Sequence, residues 1–343
     1  MSQAAAAEPT AVVGAGSWGT ALAHQLALVG PVRLWCRRAE LARKIAGERV
    51  NQAYLPGVRL TRCVEVHDEL DRALEGAGRA VLAVPTQALA GVLESVRPGA
   101  WPAGPLVLAC KGIEVGTLAL PSEIVATRLG ESAGRRAVAL SGPSFAVEMA
   151  RGEPTAVVAA CSDERFAQAV QQMFSLENLR VYTSTDALGV QLSGALKNVV
   201  AIAAGVAAGL GFGANSQAAL ITRSLVEIAR LGVAMGARRQ TFSGLAGVGD
   251  LVLTCTGALS RNRHVGERLG HGESLTDILQ RMTMVAEGVE TSRAALELAR
   301  RCRVEMPIVE QVHAILFEHK SPAQALQDLL ARPLKAEEED SRR

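Results

Sequence analysis

The sequence predicts an α/β protein, with an N-terminal Rossmann-type, mostly parallel sheet followed by an all-helical C-terminal domain. Three observations carry this expectation. Up to about Thr185, short apolar runs alternate with amphipathic stretches, the pattern of strands and covering helices in a parallel sheet. The glycine-rich run Gly14-Ala15-Gly16-Ser17-Trp18-Gly19 directly follows the first apolar run. Beyond Thr185 the strand pattern stops, and helix-like segments follow one another with punctuation at Gly213, Gly236, 270–272 and Pro307.

In chain order, strands are expected at 12–13, 32–35, 80–84, 106–109, 137–140 and 156–160. Helices are expected at 21–29, 41–49, 69–76, 87–96 and 122–129. The expected division is a dinucleotide-binding domain over 1–189, a helical substrate domain over 190–334 and a disordered charged tail over 335–343. A chain of 343 residues exceeds the size at which single cores stop growing, so two domains are the better prior. With 49% apolar and 20% charged residues, it can fill such cores.

A net charge of +2 without a dense basic run excludes a nucleic-acid binder by electrostatics, so any phosphate recognised is small. Cys36, Cys63, Cys110, Cys161, Cys255 and Cys302 lie far apart with no CxxC pair. Neither a metal site nor a disulfide framework is expected, and reduced thiols fit a cytoplasmic chain. The N-terminal run of alanines lacks the basic region of a secretory signal and reads as a frayed arm. Residues 198–222 carry no charge and are long enough to span a bilayer. Gly205, Gly209, Gly211 and Gly213, with Asn215, Ser216 and Gln217, argue instead for a helix buried in protein and against an integral membrane segment.

The GxGxxG run has physical meaning because it sits between a strand and a helix. Gly14 permits the turn, Gly16 lets the backbone approach a pyrophosphate, and Gly19 lets the helix lie close to the strand. The helix N-terminus then offers N–H groups and a positive dipole end to the phosphates. Where an NAD-specific protein usually places an acid after the second strand, this chain has Arg37 and Arg38. Arginine holds a 2′-phosphate through its planar fork, so NADPH is preferred over NADH.

Reduction of a ketone with such a dinucleotide needs a proton donor for the developing alkoxide. Lys111 follows a predicted strand at its carboxyl end, where ligands bind in open α/β sheets. Lys197 opens the uncharged segment, where apolar neighbours lower its pKa. The runs 247–251 and 260–263 gather polar groups around glycines, with Thr254 and Thr256 nearby, as in a loop that binds phosphate or as a helix connection capped by Asp250.

The chain resembles bacterial-type NAD(P)-dependent glycerol-3-phosphate dehydrogenases over residues 10–330. The segments that carry this are GAGSWGTALA from Gly14, LACKGIE from Leu108, SGPSFA from Ser141, LKNVVAIAAG from Leu196, GLAGVGDLVLTCTG from Gly244, SRNRHVG from Ser260 and VAEGVETS from Val285. The resemblance implies that Ser17, Trp18, Arg37, Arg38 and Tyr54 contact the dinucleotide, together with Ala146. It places Lys111, Gly142 and Ser144 at the junction of substrate and nicotinamide. Lys197 is implied as the general acid/base, with Asn198 beside it and Asp250 orienting it. Ser260, Arg261 and Asn262 are implied to grip the substrate phosphate, while Arg261, Val285 and Glu287 close over the cofactor.

The implied reaction is reversible reduction of dihydroxyacetone phosphate to sn-glycerol 3-phosphate with NADPH or NADH, supplying phospholipid synthesis, in a cytoplasmic homodimer. Ala208 and Ala214 stand where the family commonly has aspartate, which puts local capping and a subunit contact in doubt. The alternatives are a related dehydrogenase of a β-hydroxyacid or sugar-acid phosphate, and a non-catalytic NADPH-binding regulator.

Overall fold

A computed structural model describes residues 8–97, 99–334 and 336–337. The expected N-terminal arm and nearly all of the expected charged tail lie outside them. In chain order the strands are β1 (Thr10–Val13), β2 (Val32–Trp35), β3 (Val50–Asn51), β4 (Leu55–Arg59), β5 (Val64–His67), β6 (Arg79–Leu82), β7 (Leu106–Leu108), β8 (Ala137–Ser141), β9 (Thr155–Ala160) and β10 (Leu179–Ser184). Eight form one sheet in the order β10-β9-β8-β7-β6-β1-β2-β5, while β3 and β4 pair separately as an antiparallel ribbon. From β5 to β8 all neighbours are parallel, and β9 then pairs antiparallel with β8.

The run β5-β2-β1-β6-β7-β8 is the strand order of a doubly wound dinucleotide-binding sheet, whose switch point lies between β1 and β6. Every residue of β1 and β8 is buried, because helices cover both faces and no polar side needs to be presented to water. Parallel strands share a carboxyl edge, so Gly14 after β1, Thr86 shortly after β6, Lys111 after β7 and Gly142 after β8 all stand along one rim.

Four strands depart from the sequence expectation. β3 has two residues and β4 contains Pro56 and Gly57, both disfavoured in strands. β5 is the sheet edge and reads Val-Glu-Val-His. β10 alternates buried Leu179 and Val181 with exposed Arg180 and Tyr182, a weak pattern for a strand with one covered face. Helices Glu131–Arg135, Ala146–Ala150 and Glu164–Met173 were also not expected.

The sheet ends at Ser184, and the helix Ala187–Gly209 begins three residues later, so it runs through the expected boundary at 189. Asp186 caps it, accepting from the Gly189 N–H (2.9 Å), and also accepts from the Arg238 N–H (2.9 Å) and the Thr241 hydroxyl (2.5 Å). This helix is long and apolar enough to cross a membrane, and 83% of its most apolar stretch is covered by the rest of the protein. It is the axis of the helical half.

Its glycines have a packing reason. A Cβ at Gly205 would fall on the Arg263 carbonyl oxygen, and one at Gly209 on that of Glu267. Reciprocally, a Cβ at Gly266 would fall on the Ile202 carbonyl, and one at Gly270 would lie 2.7 Å from the Val206 carbonyl oxygen. The helices Ala187–Gly209 and Arg261–Gly270 therefore meet backbone to backbone through a glycine spaced every fourth residue on each. Gly205→Ala or Gly266→Ala should each destabilise the protein by about 1–3 kcal/mol, the usual cost of overpacking. Thermal unfolding followed by circular dichroism checks this, and unchanged midpoints in both variants would contradict the close approach.

Candidate active site

The glycine turn after β1 is shaped by contacts that admit no side chain. Gly14 has φ +116°, and a Cβ on it would lie 2.7 Å from the Ala83 carbonyl oxygen; one on Gly19 would fall on the Gly14 carbonyl. At Gly16 an added Cβ would meet nothing within 4 Å, so open space adjoins the start of the helix Ser17–Leu26. The first-turn N–H groups of that helix have no partners within it. The Trp18 indole N–H is buried without a protein partner. A glycine cradle, free first-turn amides and an orphaned donor fit a dinucleotide phosphate.

The β3–β4 ribbon braces this turn. Asn51, fully buried, donates through Nδ2 to the Ala15 carbonyl (2.9 Å) and to Thr20 Oγ1 (2.8 Å). Ser17 Oγ donates to the Tyr54 carbonyl (2.6 Å). Arg38 donates to the Tyr54 hydroxyl (3.1 Å) with its guanidinium over the ring, 5.5 Å from the centroid, while Arg37 is exposed beside it. Sequence reasoning singled out Tyr54 and missed Asn51. A fully buried asparagine beside a glycine turn was the available signal, but burial is not written in the sequence.

The reacting end is a charge cluster. Asp250, 1% exposed, accepts from Lys111 Nζ through Oδ2 (2.7 Å) and from Lys197 Nζ through Oδ1. Lys197 also donates to Thr254 Oγ1 (2.9 Å), and Ser141 Oγ donates to Asp250 Oδ2 (3.2 Å). Burial pulls the Lys197 ammonium down from 10.5 to about 8, against the opposing pull of Asp250 and with the help of Lys111. Burial works to raise the Asp250 carboxyl, but the two lysines overcome it and hold the group below its ordinary range. The cluster thus carries two ammoniums against one carboxylate.

Residues 247–251 are not a phosphate loop. Leu245–Gly249 forms a π-helical turn, kinked at Gly247, that runs directly into the helix Asp250–Thr256. Gly247 is required there because a Cβ would strike the Phe242 backbone. Asp250 therefore occupies the first turn of a helix, where the dipole favours its charge, and it faces lysines rather than capping a surface connection.

Ser260 caps the helix Arg261–Gly270, accepting from the Arg263 N–H (3.2 Å). Asn198 donates to the Lys111 carbonyl (2.9 Å) and accepts from Asn262 Nδ2 (2.9 Å), whose Oδ1 accepts from the Gly288 N–H (3.0 Å). A further Asn198 bond to the Gly194 carbonyl (3.4 Å) uses the second of its side-chain N–H groups, whereas Asn262 keeps one N–H to offer. Arg261 is exposed at its surface, and crowding by protein lowers its guanidinium pKa against the pull of Glu287.

Glu287 opens the helix Glu287–Cys302 and accepts from the Thr86 N–H (2.7 Å) across the gap between the halves; burial pushes its carboxyl up. Ser17 Oγ lies 3.2 Å from Met284 Sδ, and Val285 next to it is exposed. Gly142 (φ +148°) presents its carbonyl to Lys111 Nζ (3.5 Å) and to the Ser144 hydroxyl (2.9 Å), just before Ala146 starts a short helix. Among the described residues no group of three or more His, Cys, Asp or Glu is placed to hold a metal ion.

A doubly wound nucleotide sheet whose carboxyl rim brings one lysine to a carboxylate shared with a buried lysine of a helical half defines a dinucleotide-dependent dehydrogenase. The profile of the NAD-dependent glycerol-3-phosphate dehydrogenase N-terminus matches residues 9–167, and that of its C-terminus matches 186–327. Glycerol-3-phosphate dehydrogenase [NAD(P)+] of Geobacter sulfurreducens is 51% identical over 331 residues, covering 96% of this chain and 99% of the relative. That of Geobacillus thermodenitrificans is 49% identical over 335 residues, 97% of each. The crystal structure of glycerol-3-phosphate dehydrogenase from Coxiella burnetii superposes with a TM-score of 0.90 at 39% identity, over 95% of this chain and 99% of that one. The chain belongs to the NAD-dependent glycerol-3-phosphate dehydrogenase family.

Asp250→Asn keeps the shape of the cluster and leaves the buried Lys197 and the half-buried Lys111 without a counter-charge, which should cost about 3–5 kcal/mol. Lys197 is already below its unfolded value of 10.5, so the unfolded chain binds more protons between the two values and stability rises with pH there. Without Asp250 that window opens at lower pH. The deficit against the parent protein should therefore be largest near pH 6 and shrink toward pH 9, as read from thermal midpoints across that range; a deficit independent of pH would contradict the buried charge.

Proposed function

We propose that the Lys111–Asp250–Lys197 cluster is the reacting centre at which this family member reversibly reduces dihydroxyacetone phosphate to sn-glycerol 3-phosphate with NADH or NADPH. The observation that carries it is one buried carboxylate shared by two lysines, one of them lowered to about 8. A bound dinucleotide supplies the hydride.

Lys197 delivers its proton to the ketone oxygen, and a value near neutrality suits a group that must both hold and release it. Asp250 keeps the ammonium aimed, and Lys111 contributes the second positive charge for the developing alkoxide. Ser260, Arg261 and Asn262 take the substrate phosphate at the N-terminus of the helix Arg261–Gly270, where backbone N–H groups and the dipole favour an anion. Gly142 and Ser144 line the junction with the nicotinamide, and Asn198 ties the main chain at Lys111 to Asn262.

On the nucleotide side, Gly14, Gly16, Ser17, Trp18 and Gly19 cradle the pyrophosphate. Arg37, Arg38 and Tyr54 take the adenosine end, Ala146 adjoins the cofactor, and Val285, Glu287 and Arg261 close over it. In this reading residues 1–189 bind the dinucleotide and 190–334 close over the substrate. The chain works as a cytoplasmic homodimer, and its product feeds glycerophospholipid synthesis.

Lys197→Met preserves volume and removes both charge and proton. Turnover should fall about 10²–10⁴-fold while NADPH affinity survives. In the parent protein, kcat/KM for reduction should fall as pH rises through about 8, because only the protonated lysine donates. A loss below fivefold together with an unmoved pH profile would assign the proton to Lys111 or to water.

Arg37→Ala with Arg38→Ala should weaken NADPH more than NADH by tenfold or more, since a charge-assisted hydrogen bond contributes about 1.5–3 kcal/mol. Fluorescence titration with both nucleotides measures the ratio, and equal losses would sink the preference.

A further inference from the structure

We infer that Ser141 is a positioning residue of the reacting centre, whose hydroxyl holds one oxygen of Asp250 and sets how that carboxylate is divided between Lys111 and Lys197. The inference rests on Lys197 as the proton donor. Ser141 ends β8, is 4% exposed and donates to Asp250 Oδ2 at 3.2 Å. Among the described residues this oxygen is the only partner of the hydroxyl.

The other hydroxyl of the cluster does not do the same work. Thr254 Oγ1 has one proton, which goes to the Asp250 main-chain carbonyl (2.6 Å) rather than to the more distant Asp250 Oδ1 (3.4 Å), and it accepts from Lys197. Ser141 is therefore the one neutral donor committed to the carboxylate among the described residues. The helix Ala187–Gly209 makes room for it: a Cβ at Gly194, one turn before Lys197, would stand 3.0 Å from Ser141 Oγ and 3.6 Å from the Lys111 Cγ. Three separate chain segments, β8, that helix and the helix Asp250–Thr256, meet at this hydroxyl.

The physical effect has a sign. A hydroxyl donated to Oδ2 draws negative charge toward the Lys111 side of the carboxylate without adding a third cation. The pull of Asp250 on Lys197 weakens correspondingly, and Lys197 gives up its proton more readily. The charged or titratable groups facing Asp250 and Lys197 are each other, Lys111, and the Cys255 thiol, which burial pushes up to about 12 and so keeps neutral. Farther out, Arg263 faces Cys255, and Glu287 faces the Lys111 backbone and Arg261. None of these outer groups touches Asp250 Oδ2, so none of them stands in for the Ser141 hydroxyl once it is removed.

The test uses Ser141→Ala and Ser141→Cys in the full chain, with Ser141→Thr as the variant that keeps a hydroxyl. Cysteine fills nearly the same volume but is a weak donor. In both Ala and Cys variants, turnover in dihydroxyacetone phosphate reduction should fall by about tenfold at pH 7, the scale of one hydrogen bond to a charged group. The alkaline limb of kcat/KM should move up by about half a unit or more, because Lys197 holds its proton more tightly. KM for NADPH should stay within about twofold, since the nucleotide turn is untouched. Threonine should bring the limb back.

A merely structural serine predicts something else: a lowered melting point in the Ala variant that Cys restores, with the limb unmoved. That outcome overturns the inference, as does a limb within about 0.2 unit of the parent in the Cys variant. If Ser141→Ala fails to fold, the Cys variant decides alone. Lys197→Met in the same series separates the two readings, because an active Lys197→Met sinks the proton donor itself, whereas an inactive one beside silent Ser141 variants sinks only this inference.

Discussion

The structure is organised around a carboxylate that has no access to water. Asp250 is buried, and two lysines from distant parts of the chain reach it, Lys111 from the rim of the sheet and Lys197 from the axis of the helical half. Taking each ion out of water costs several kcal/mol, which the mutual attraction offsets only if the geometry is close and the remaining valences are filled. Ser141, Thr254 and the helix dipole at Asp250 fill them. The cluster therefore also ties the nucleotide half to the helical half, since each supplies a lysine to the same carboxylate.

That requirement explains packing that otherwise looks like mere density. For Lys197 to reach Asp250, the helix Asp250–Thr256 must lie against the helix Ala187–Gly209, and the π turn at Gly247 brings the chain there. For Asn262 to reach Asn198 beside Lys197, the helix Arg261–Gly270 must come close enough for its backbone to touch, which the paired glycines allow. Asn198 and Asn262 then link the Lys111 carbonyl to Gly288, so that four elements share one polar thread. Glu287 closes the far side by taking the Thr86 N–H at the switch point of the sheet.

Much of this was legible in the sequence, for identifiable reasons. The strand, glycine turn and helix expected at 12–13, 14–19 and 21–29 could be read because the three glycines have separate local causes, although the helix starts earlier, at Ser17, and ends at Leu26. Only the first part of the uncharged segment 198–222 is the buried helix that was expected. The helix ends at Gly209, residues 211–216 are exposed and a second helix starts at Ala214, so Gly205 and Gly209 suit a close helix partner whereas Gly211 and Gly213 mark a connection. Long-range pairings left no local signal. Nothing in the spacing of Lys111, Lys197 and Asp250 says that they meet, and only the family resemblance brought them together. Asn51 and Ser141 escaped because their importance lies in burial and in a partner far along the chain. The run 247–251 looked like a loop because glycines at 247 and 249 usually break helices, whereas here Gly247 is needed for contact with the Phe242 backbone. At Ala214, Gly213 serves as the helix N-cap without a side-chain hydrogen bond, and the residue is exposed, so a missing aspartate leaves no buried group unsatisfied.

The imbalance of charge in the cluster bears on catalysis more than on affinity. With two ammoniums and one carboxylate, the centre keeps one uncompensated positive charge in a place where the dielectric is low and such a charge acts strongly. A neutral ketone does little to relieve it, and in the proposed reading the substrate phosphate is held elsewhere, at the start of the helix Arg261–Gly270. The alkoxide that develops as the carbonyl is reduced supplies the missing negative charge. The site is thus better matched to the transition state than to the bound substrate, which is the condition for raising turnover rather than merely tightening binding. In the proposed mechanism, transfer of the Lys197 proton then leaves one ammonium facing one carboxylate, a balanced pair that has no electrostatic reason to retain the neutral alcohol.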